Sequence, residues 1–443
     1  MSGQISLADV PVVDDHCHAG GYEATPGVGY RTIREHEELY ARGYLEARIP
    51  AAAYREYVKA VHGRDAATLD RLDRAHGTRT LMERALELRQ TMVLTRALEL
   101  GCRELYGEWE NREARDRAGD EARRQGPAAL YERALDLANC PVVLTDTTRL
   151  DRSIWSDRRF KWISRLDQFF YPFGPGALTK RGTEVGAFYD RFEAALRVAL
   201  RERGLDRVPT EFADYLAFVE EVLASVLERG AVCLKIVSAY VRSLEFRPVA
   251  EAEAARVFRD LVKGNKDESR LFEDYLARRL LLWAAKRDVP VQIHVGMGHG
   301  EPGMDYHGIN PLNLQSVLMD ERLSNLRVIL LHGAYPYSSE VGGLAWTYGN
   351  VDLDFSWMPY LHHHFLVDRL CEWLEYLPAH KVLFGTDTGL PELHLGATRM
   401  GIRALETALG RGVADDLWTV SQARWLGERV CHRNACELYG FVL

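Results

Sequence analysis

The stretch Val10-Pro11-Val12-Val13-Asp14-Asp15-His16-Cys17-His18 decides how the rest of the chain is read. Side chains alternate along a strand with period two, so His16 and His18 point to the same side just where an apolar run emerges from a core. That offers two imidazole nitrogens to one metal ion at the carboxyl end of a strand. A hydrogen-bonded core pair is the plainer reading, since the chain holds 15 histidines, and ligands elsewhere must separate the two.

Seven further runs read as strands: Pro141–Thr145, Trp162–Phe169, Val232–Ala239, Pro290–Val295, Leu326–His332, Val351–Phe355 and Lys381–Asp387. Several are continuously apolar, as in strands covered on both faces. Helical patterns fill the later intervals, such as Arg270–Arg287 and Pro311–Arg322. Strands alternating with helices imply parallel pairing, and eight such units imply an α/β fold of the (β/α)8 TIM-barrel type.

Two intervals exceed a simple crossover. Residues 20–139 are rich in Glu, Arg, Ala and Leu, with one amphipathic helix expected over Thr80–Gly101 and a charged helical stretch over Gly107–Leu137. They read as a helical insertion after strand one, beside the barrel mouth; a tethered separate helical domain is the alternative. Between Tyr171 and Arg229 a loop with Pro172-Phe173-Gly174-Pro175-Gly176 precedes helices over Val185–Gly204 and Thr210–Gly230. The expected organisation is one barrel over residues 1–443 with the insertion inside it.

Composition narrows the classes. The 443 residues carry 56 basic and 64 acidic side chains, a net charge of -8 without the clustered basic face of a nucleic-acid binder. No apolar run is long enough to span a membrane, and Met1-Ser2-Gly3-Gln4 lacks a signal pattern. The seven cysteines are scattered without a CxxC pair, which argues against a disulfide framework and for a reducing cytoplasm.

Barrel enzymes build their sites at the carboxyl ends of the strands. There, strand five ends in His294, strand six in His332 and strand eight in Asp387. With His16 and His18 they form a nitrogen and oxygen set suited to zinc or another divalent first-row ion such as manganese. A water whose pKa the metal lowers would attack a carbonyl carbon, with Asp387 carrying its proton to the leaving group. Lys235, inside Cys233-Leu234-Lys235-Ile236-Val237, is costly to bury alone. It reads as a core lysine paired to a carboxylate, as a metal-bridging carbamate, or as a cation for substrate. Tyr240 and Arg242 would reach a substrate carboxylate if their strand continues into the mouth, with a surface role for Arg242 as the alternative. His299, in the loop after strand five, is a candidate substrate contact, and a solvated loop histidine is its plainer reading. His362-His363-His364 is read as a helix start or loop, and Trp346, Trp357 and Tyr335 as packing residues.

The constellation resembles the amidohydrolase superfamily, and the later half resembles its amidohydrolase-2-type domain, which occurs alone or fused to a glutamine-synthetase-like domain. The matching segments are Gln292-Ile293-His294-Val295-Gly296, Leu330-Leu331-His332-Gly333-Ala334-Tyr335-Pro336 and Lys381-Val382-Leu383-Phe384-Gly385-Thr386-Asp387. The resemblance covers the first strand and roughly residues 230–443; no counterpart of the insertion is recognised. It implies a distorted barrel with one or two divalent ions, usually zinc, in which His16, His18, His294 and Asp387 are the principal ligands. His332 then ligates a second metal or activates water or substrate, and Lys235 stands where two-metal members often carry a carboxylated lysine. One metal is the favoured count.

The expected activity is metal-dependent hydrolysis of an amide, lactone or related carbonyl bond in a small carboxylated substrate. A nonhydrolytic decarboxylase shares the ligands. A uronate-isomerase-like sugar-acid isomerase is a third reading, opposed by a strand-five metal histidine and by Asp387-Thr388-Gly389 where that group carries Asp-Ser-Arg. A non-catalytic binding module on the same scaffold is the fourth. Helical faces of the insertion also allow homo-oligomerisation.

Overall fold

The computed structural model of the chain describes residues 5–19, 32–147, 158–174, 183–298 and 304–443. Eight parallel strands follow one another around a sheet in chain order: β1 (Val13–Cys17), β2 (Val142–Thr147), β3 (Phe160–Arg165), β4 (Ala231–Ile236), β5 (Val291–Ile293), β6 (Val328–Leu330), β7 (Val351–Asp354) and β8 (Val382–Leu383). The sheet meets itself through backbone hydrogen bonds from Asp15 N to Phe384 O (2.8 Å) and from Asp387 N to His16 O (2.7 Å). The same closure brings the end of β1 beside the segment after β8. All eight expected strands form, in the expected α/β barrel.

The barrel interior is filled by Val13, Val142, Leu144, Ile163, Cys233, Ile329, Leu331 and Leu383, close-packed as in other barrel cores. The short C-terminal helix adds Ala435 to this cluster, and Tyr439 packs against it.

Among the described residues between β1 and β2 there are seven helices: α1 (Ile33–Glu46), α2 (Ala51–Gly63), α3 (Ala66–His76), α4 (Thr78–Leu88), α5 (Val93–Tyr106), α6 (Arg112–Gln125) and α7 (Pro127–Leu137). The single helix expected over Thr80–Gly101 is therefore two. Met92 takes an extended conformation before Val93, yet the apolar stripe runs on across the break and hides it from periodicity. The stretch Gly107–Leu137 also divides, because Gly126 is extended and Pro127 opens α7 as its first residue. Here the Gly-Pro pair was a readable signal.

The helices of the insertion have a core of their own, including Leu45, Tyr54, Tyr57, Leu72, Met82 and Leu86. α5 belongs elsewhere: Leu94, Ala97, Leu98 and Cys102 pack with Trp357, Tyr360, Leu390, Leu393 and Ala397 of the barrel segments. The insertion is thus docked on the barrel.

The remaining helices are α8 (Thr183–Glu202), α9 (Phe212–Glu228), α10 (Glu251–Val262), α11 (Ser269–Ala285), α12 (Gln315–Leu318), α13 (Ser338–Thr347), α14 (Met358–Leu361), α15 (His363–Tyr376), α16 (Pro391–Ala414), α17 (Val420–Glu428) and α18 (Asn434–Tyr439). The expected helix over Pro311–Arg322 is instead α12 between two single 3-10 turns. Among the described residues no helix is long and apolar enough to cross a membrane.

Candidate metal centre

His16 reaches the mouth from β1, and His18 follows it immediately beyond the strand. Asp387 arrives from the segment after β8, its backbone nitrogen tied to His16 O. His18 Nε2 lies 2.9 Å and His16 Nε2 3.4 Å from Asp387 Oδ1. One ligand atom from each of the three residues lies within 4.8 Å of the others. Asp387 Oδ1 is buried and no donor is aligned on it as a hydrogen bond requires. Two nitrogens and a buried carboxylate oxygen converging without hydrogen bonds between them fit a divalent ion.

His294 stands outside that trio. Its Nδ1 is 2.9 Å from His332 Nε2, and its ring lies against Tyr240 with centroids 4.5 Å apart. His332 in turn places Nδ1 2.9 Å from Ser356 Oγ and 3.8 Å from Asp387 Oδ2. The Ser356 hydroxyl donates to Asp354 Oδ1 (2.9 Å), so its oxygen accepts from His332 Nδ1–H. His332 Nε2 is then the acceptor of His294 Nδ1–H. The same Asp354 oxygen also accepts the backbone N–H of His332 (2.7 Å). A directed chain, His294 to His332 to Ser356 to Asp354, therefore borders the trio.

Lys235 is fully buried on β4, with Nζ 2.9 Å from His16 Nε2 and 3.7 Å from Asp146 Oδ2. Asp146 also takes two hydrogen bonds from Arg165, Nε at 2.7 Å and Nη2 at 2.9 Å. Lys235 is thus both paired to a carboxylate and part of the site.

Burial dominates the electrostatics. It pushes His16 down to about 4, helped by the Lys235 charge, and pushes His332 well below the ordinary imidazole range. Both rings are neutral at pH 7 and present lone pairs. Burial opposes the charge on Asp387, but the imidazoles of His332 and His18 and contacts from His16 and His18 outweigh it, holding the carboxyl ionised. Burial lowers Lys235, with Asp146 and Asp387 acting against it. For Asp146, Arg165 and Lys235 outweigh burial and keep the carboxylate charged.

The backbone is strained where the site is built. His332 (φ 64°), Trp357 (φ 71°) and Asp387 (φ 56°) are non-glycine residues in the left-handed region, a conformation that persists where surroundings over-determine it. The buried Tyr360 hydroxyl donates to Asp387 O (2.8 Å) and helps hold that conformation.

Arg242 departs from its expected place. It is buried rather than at the surface, and its guanidinium is engaged by Glu273 at 2.9 Å, by Asp274 and by the Glu245 carbonyl. Two buried carboxylates satisfy it, so it is a structural cation and no anchor for substrate. His299 lies outside the described residues. His362 is the residue preceding α15, as read, and among the described residues no metal-ligand cluster includes it. Trp357 is buried near His332, with ring centroids 6.0 Å apart, whereas Trp346 is largely exposed instead of packed.

Sequence reasoning missed Asp146, Arg165, Gln292, Asp354 and Ser356. Each stands at or just past a strand end, or two residues from a recognised candidate: Gln292 precedes His294 by two, and Ser356 lies two residues beyond Asp354, which ends β7. The strand-end rule, applied to β2, β3 and β7 as it was to the others, would have named four of them.

A family model described as Amidohydrolase matches residues 170–441. The chain belongs to that amidohydrolase family. Protein fluG of Emericella nidulans is 29% identical over 300 residues, which are 59% of this chain and 34% of that protein, so the chain spans about a third of this relative. The fold is shared with solved structures at low identity. A Lactobacillus casei protein assigned as a metal-dependent hydrolase has a TM-score of 0.67 at 20% identity, covering 99% of this chain and 98% of its own. Glucuronate isomerase of Caulobacter crescentus gives 0.67 at 16% (99% and 92%), and uronate isomerase of Thermotoga maritima 0.68 at 14% (99% and 96%). These matches extend over nearly the whole amidohydrolase chain, insertion included, where the sequence had shown no counterpart.

Proposed function

We propose that this amidohydrolase is a metal-dependent hydrolase cleaving an amide, lactone or related carbonyl bond of a small carboxylated substrate. The observation that carries the reading is the convergence of His16, His18 and Asp387 at the barrel mouth, with His332 and Lys235 beside them. These three residues would hold one divalent ion, zinc or manganese, which when bound supplies Lewis acidity toward a carbonyl oxygen and acidifies water.

The chain's own groups do the rest. Asp387 is held ionised, and its Oδ2, facing His332, accepts a proton from the attacking water and returns it to the leaving group. His332, neutral with its one N–H held by Ser356, has no proton to donate; it orients Asp387 Oδ2 and His294 at the edge of the trio. Lys235 supplies the positive charge that a substrate carboxylate needs, and the Tyr240 ring packs beside His294. Burial of these groups keeps bulk water from screening them.

A second reading, isomerisation of a sugar acid, is favoured by one observation. His294 lies outside the converging trio, so the strand-five histidine counts less heavily against this reading.

The test is metal content on chain purified without chelator, followed by turnover of N-acyl amino acids and lactones with and without added zinc or manganese. About one equivalent of metal, hydrolysis that follows metal loading, and loss of both in Asp387→Asn are expected. No metal after reconstitution overturns the reading. Metal with no hydrolysis, but deuterium uptake from solvent into a uronic acid, replaces it with the isomerase.

A further inference from the structure

We propose that Gln292 is a positioning residue that sets the tautomer of His16, so that Nε2 carries the lone pair offered to a cation. The inference rests on the metal-binding reading only for its purpose; the tautomer itself follows from hydrogen-bond chemistry.

Gln292 is fully buried on β5, in register with Lys235 on β4. Its Oε1 lies 2.9 Å from His16 Nδ1. A primary amide carries an acceptor at one end and two donors at the other, so its orientation dictates which partner must donate. The Nε2 end faces Asp15 O at 2.8 Å, the Tyr439 hydroxyl oxygen at 3.1 Å and Asp15 Oδ2 at 3.4 Å. The first of these is a backbone carbonyl, which can only accept. A flipped amide would set two oxygens against each other in the buried interior, with no donor between them. Oε1 therefore faces His16, and His16 Nδ1 must carry the proton.

Nε2 of His16 is thereby left as the acceptor, 2.9 Å from Lys235 Nζ and 3.4 Å from Asp387 Oδ1. The opposite tautomer would point an N–H at the Lys235 ammonium, which can only donate, and leave the Gln292 oxygen unsatisfied. Tyr439 belongs to α18, which closes the far end of the barrel, and its hydroxyl also bonds the Asp15 carboxyl. A brace thus runs from the barrel floor through Tyr439 and Gln292 to the ring of His16. Partners of this kind orient ligating imidazoles and raise their basicity.

Two measurements on the full chain test this. In metal-free protein with isotope-labelled histidine, the ring-nitrogen NMR signals of His16, identified by their loss in His16→Gln, are expected to show the proton on Nδ1. A proton on Nε2, or an even mixture, overturns the proposal, and this readout needs neither metal nor activity. In Gln292→Met, which keeps length and removes the acceptor, zinc affinity measured by competition with a chromogenic chelator is expected to fall roughly 10–100-fold. An unchanged affinity in a folded variant overturns the positioning role. Should the variant fail to fold, the wild-type tautomer still decides. Should the wild type bind no zinc, the hydrolase reading falls, while the tautomer result stands or falls on its own.

Discussion

Gly396 of α16 lies against Ala97 of α5 so closely that a Cβ built on it would sit 1.8 Å from the Ala97 carbonyl oxygen. The approach is reciprocal, because a Cβ on Gly101 would sit 1.8 Å from the Glu392 carbonyl oxygen. Two helices from distant parts of the sequence thus cross backbone to backbone, and the barrier is main chain rather than a flexible side chain. Gly396→Ala is expected to force α5 and α16 apart, destabilising the chain by about 1–3 kcal/mol or more, as overpacking does. Equilibrium denaturation measures this. Wild-type stability in Gly396→Ala would show that the seam yields freely.

The same seam carries a buried ion pair. Glu392 at the start of α16 is fully buried, with Oε2 2.7 Å from Arg123 Nη2 of α6 and Oε1 accepting from the Tyr106 hydroxyl at 2.6 Å. Glu392→Ala leaves the Arg123 charge uncompensated and is expected to cost about 3–5 kcal/mol. Amide exchange should rise first in α5, α6 and α16. Exchange that rises uniformly, with no excess in these helices, would place the pair outside the docking of the insertion.

These contacts mark where the sequence was and was not legible. The strands were readable because continuous apolar runs ending in His or Asp are what a buried parallel strand opening into a site must look like. His16, His18, His332 and Asp387 were readable for the same reason. The seam was not: Gly101 and Gly396 matter only through an approach between residues 295 positions apart. Arg242 misled because its partners, Glu273 and Asp274, lie on α11, and an arginine beside a strand end looks alike whether it faces substrate or two buried carboxylates. The placement of His294 one ring beyond the trio, hydrogen-bonded to His332, was not legible either, because a strand-end position does not fix which neighbour a ring meets.

Ser356 is the link between His332 and Asp354. Its hydroxyl accepts from His332 Nδ1 and donates to Asp354 Oδ1, both at 2.9 Å, and removing it frees the ring to rotate or change tautomer. Ser356→Ala is expected to lower kcat about 10–100-fold, the usual cost of losing such a partner, with little change in KM or in metal content. Ser356→Thr, which retains the hydroxyl, should recover most of the loss. Equal activity in Ser356→Ala and the wild type would show that His332 is oriented by packing alone.

His362 offers a pH-dependent stability with a worked sign. The ring packs against Tyr335 and Phe365, centroids 4.2 and 5.2 Å away, and neither nitrogen has a hydrogen-bond partner among the described residues. Burial lowers its pKa from 6.5 to about 4. Between those values the unfolded chain binds a proton that the folded chain refuses, so this residue's contribution is fully present above pH 6.5 and is lost as pH falls toward 4. A shift of this size corresponds to on the order of 3 kcal/mol across the window. Asp167 and Asp352 act oppositely: burial raises both to about 6, so their contribution is lost as pH rises from 4 to 6. The slope of the whole chain is therefore a difference, and the variant isolates the histidine. His362→Gln is expected to unfold with a shallower loss of stability between pH 6.5 and 4 than the wild type, the two curves diverging most near pH 4. Parallel curves in denaturant titrations across that range would mean that His362 takes up its proton in the folded chain as readily as in the unfolded one.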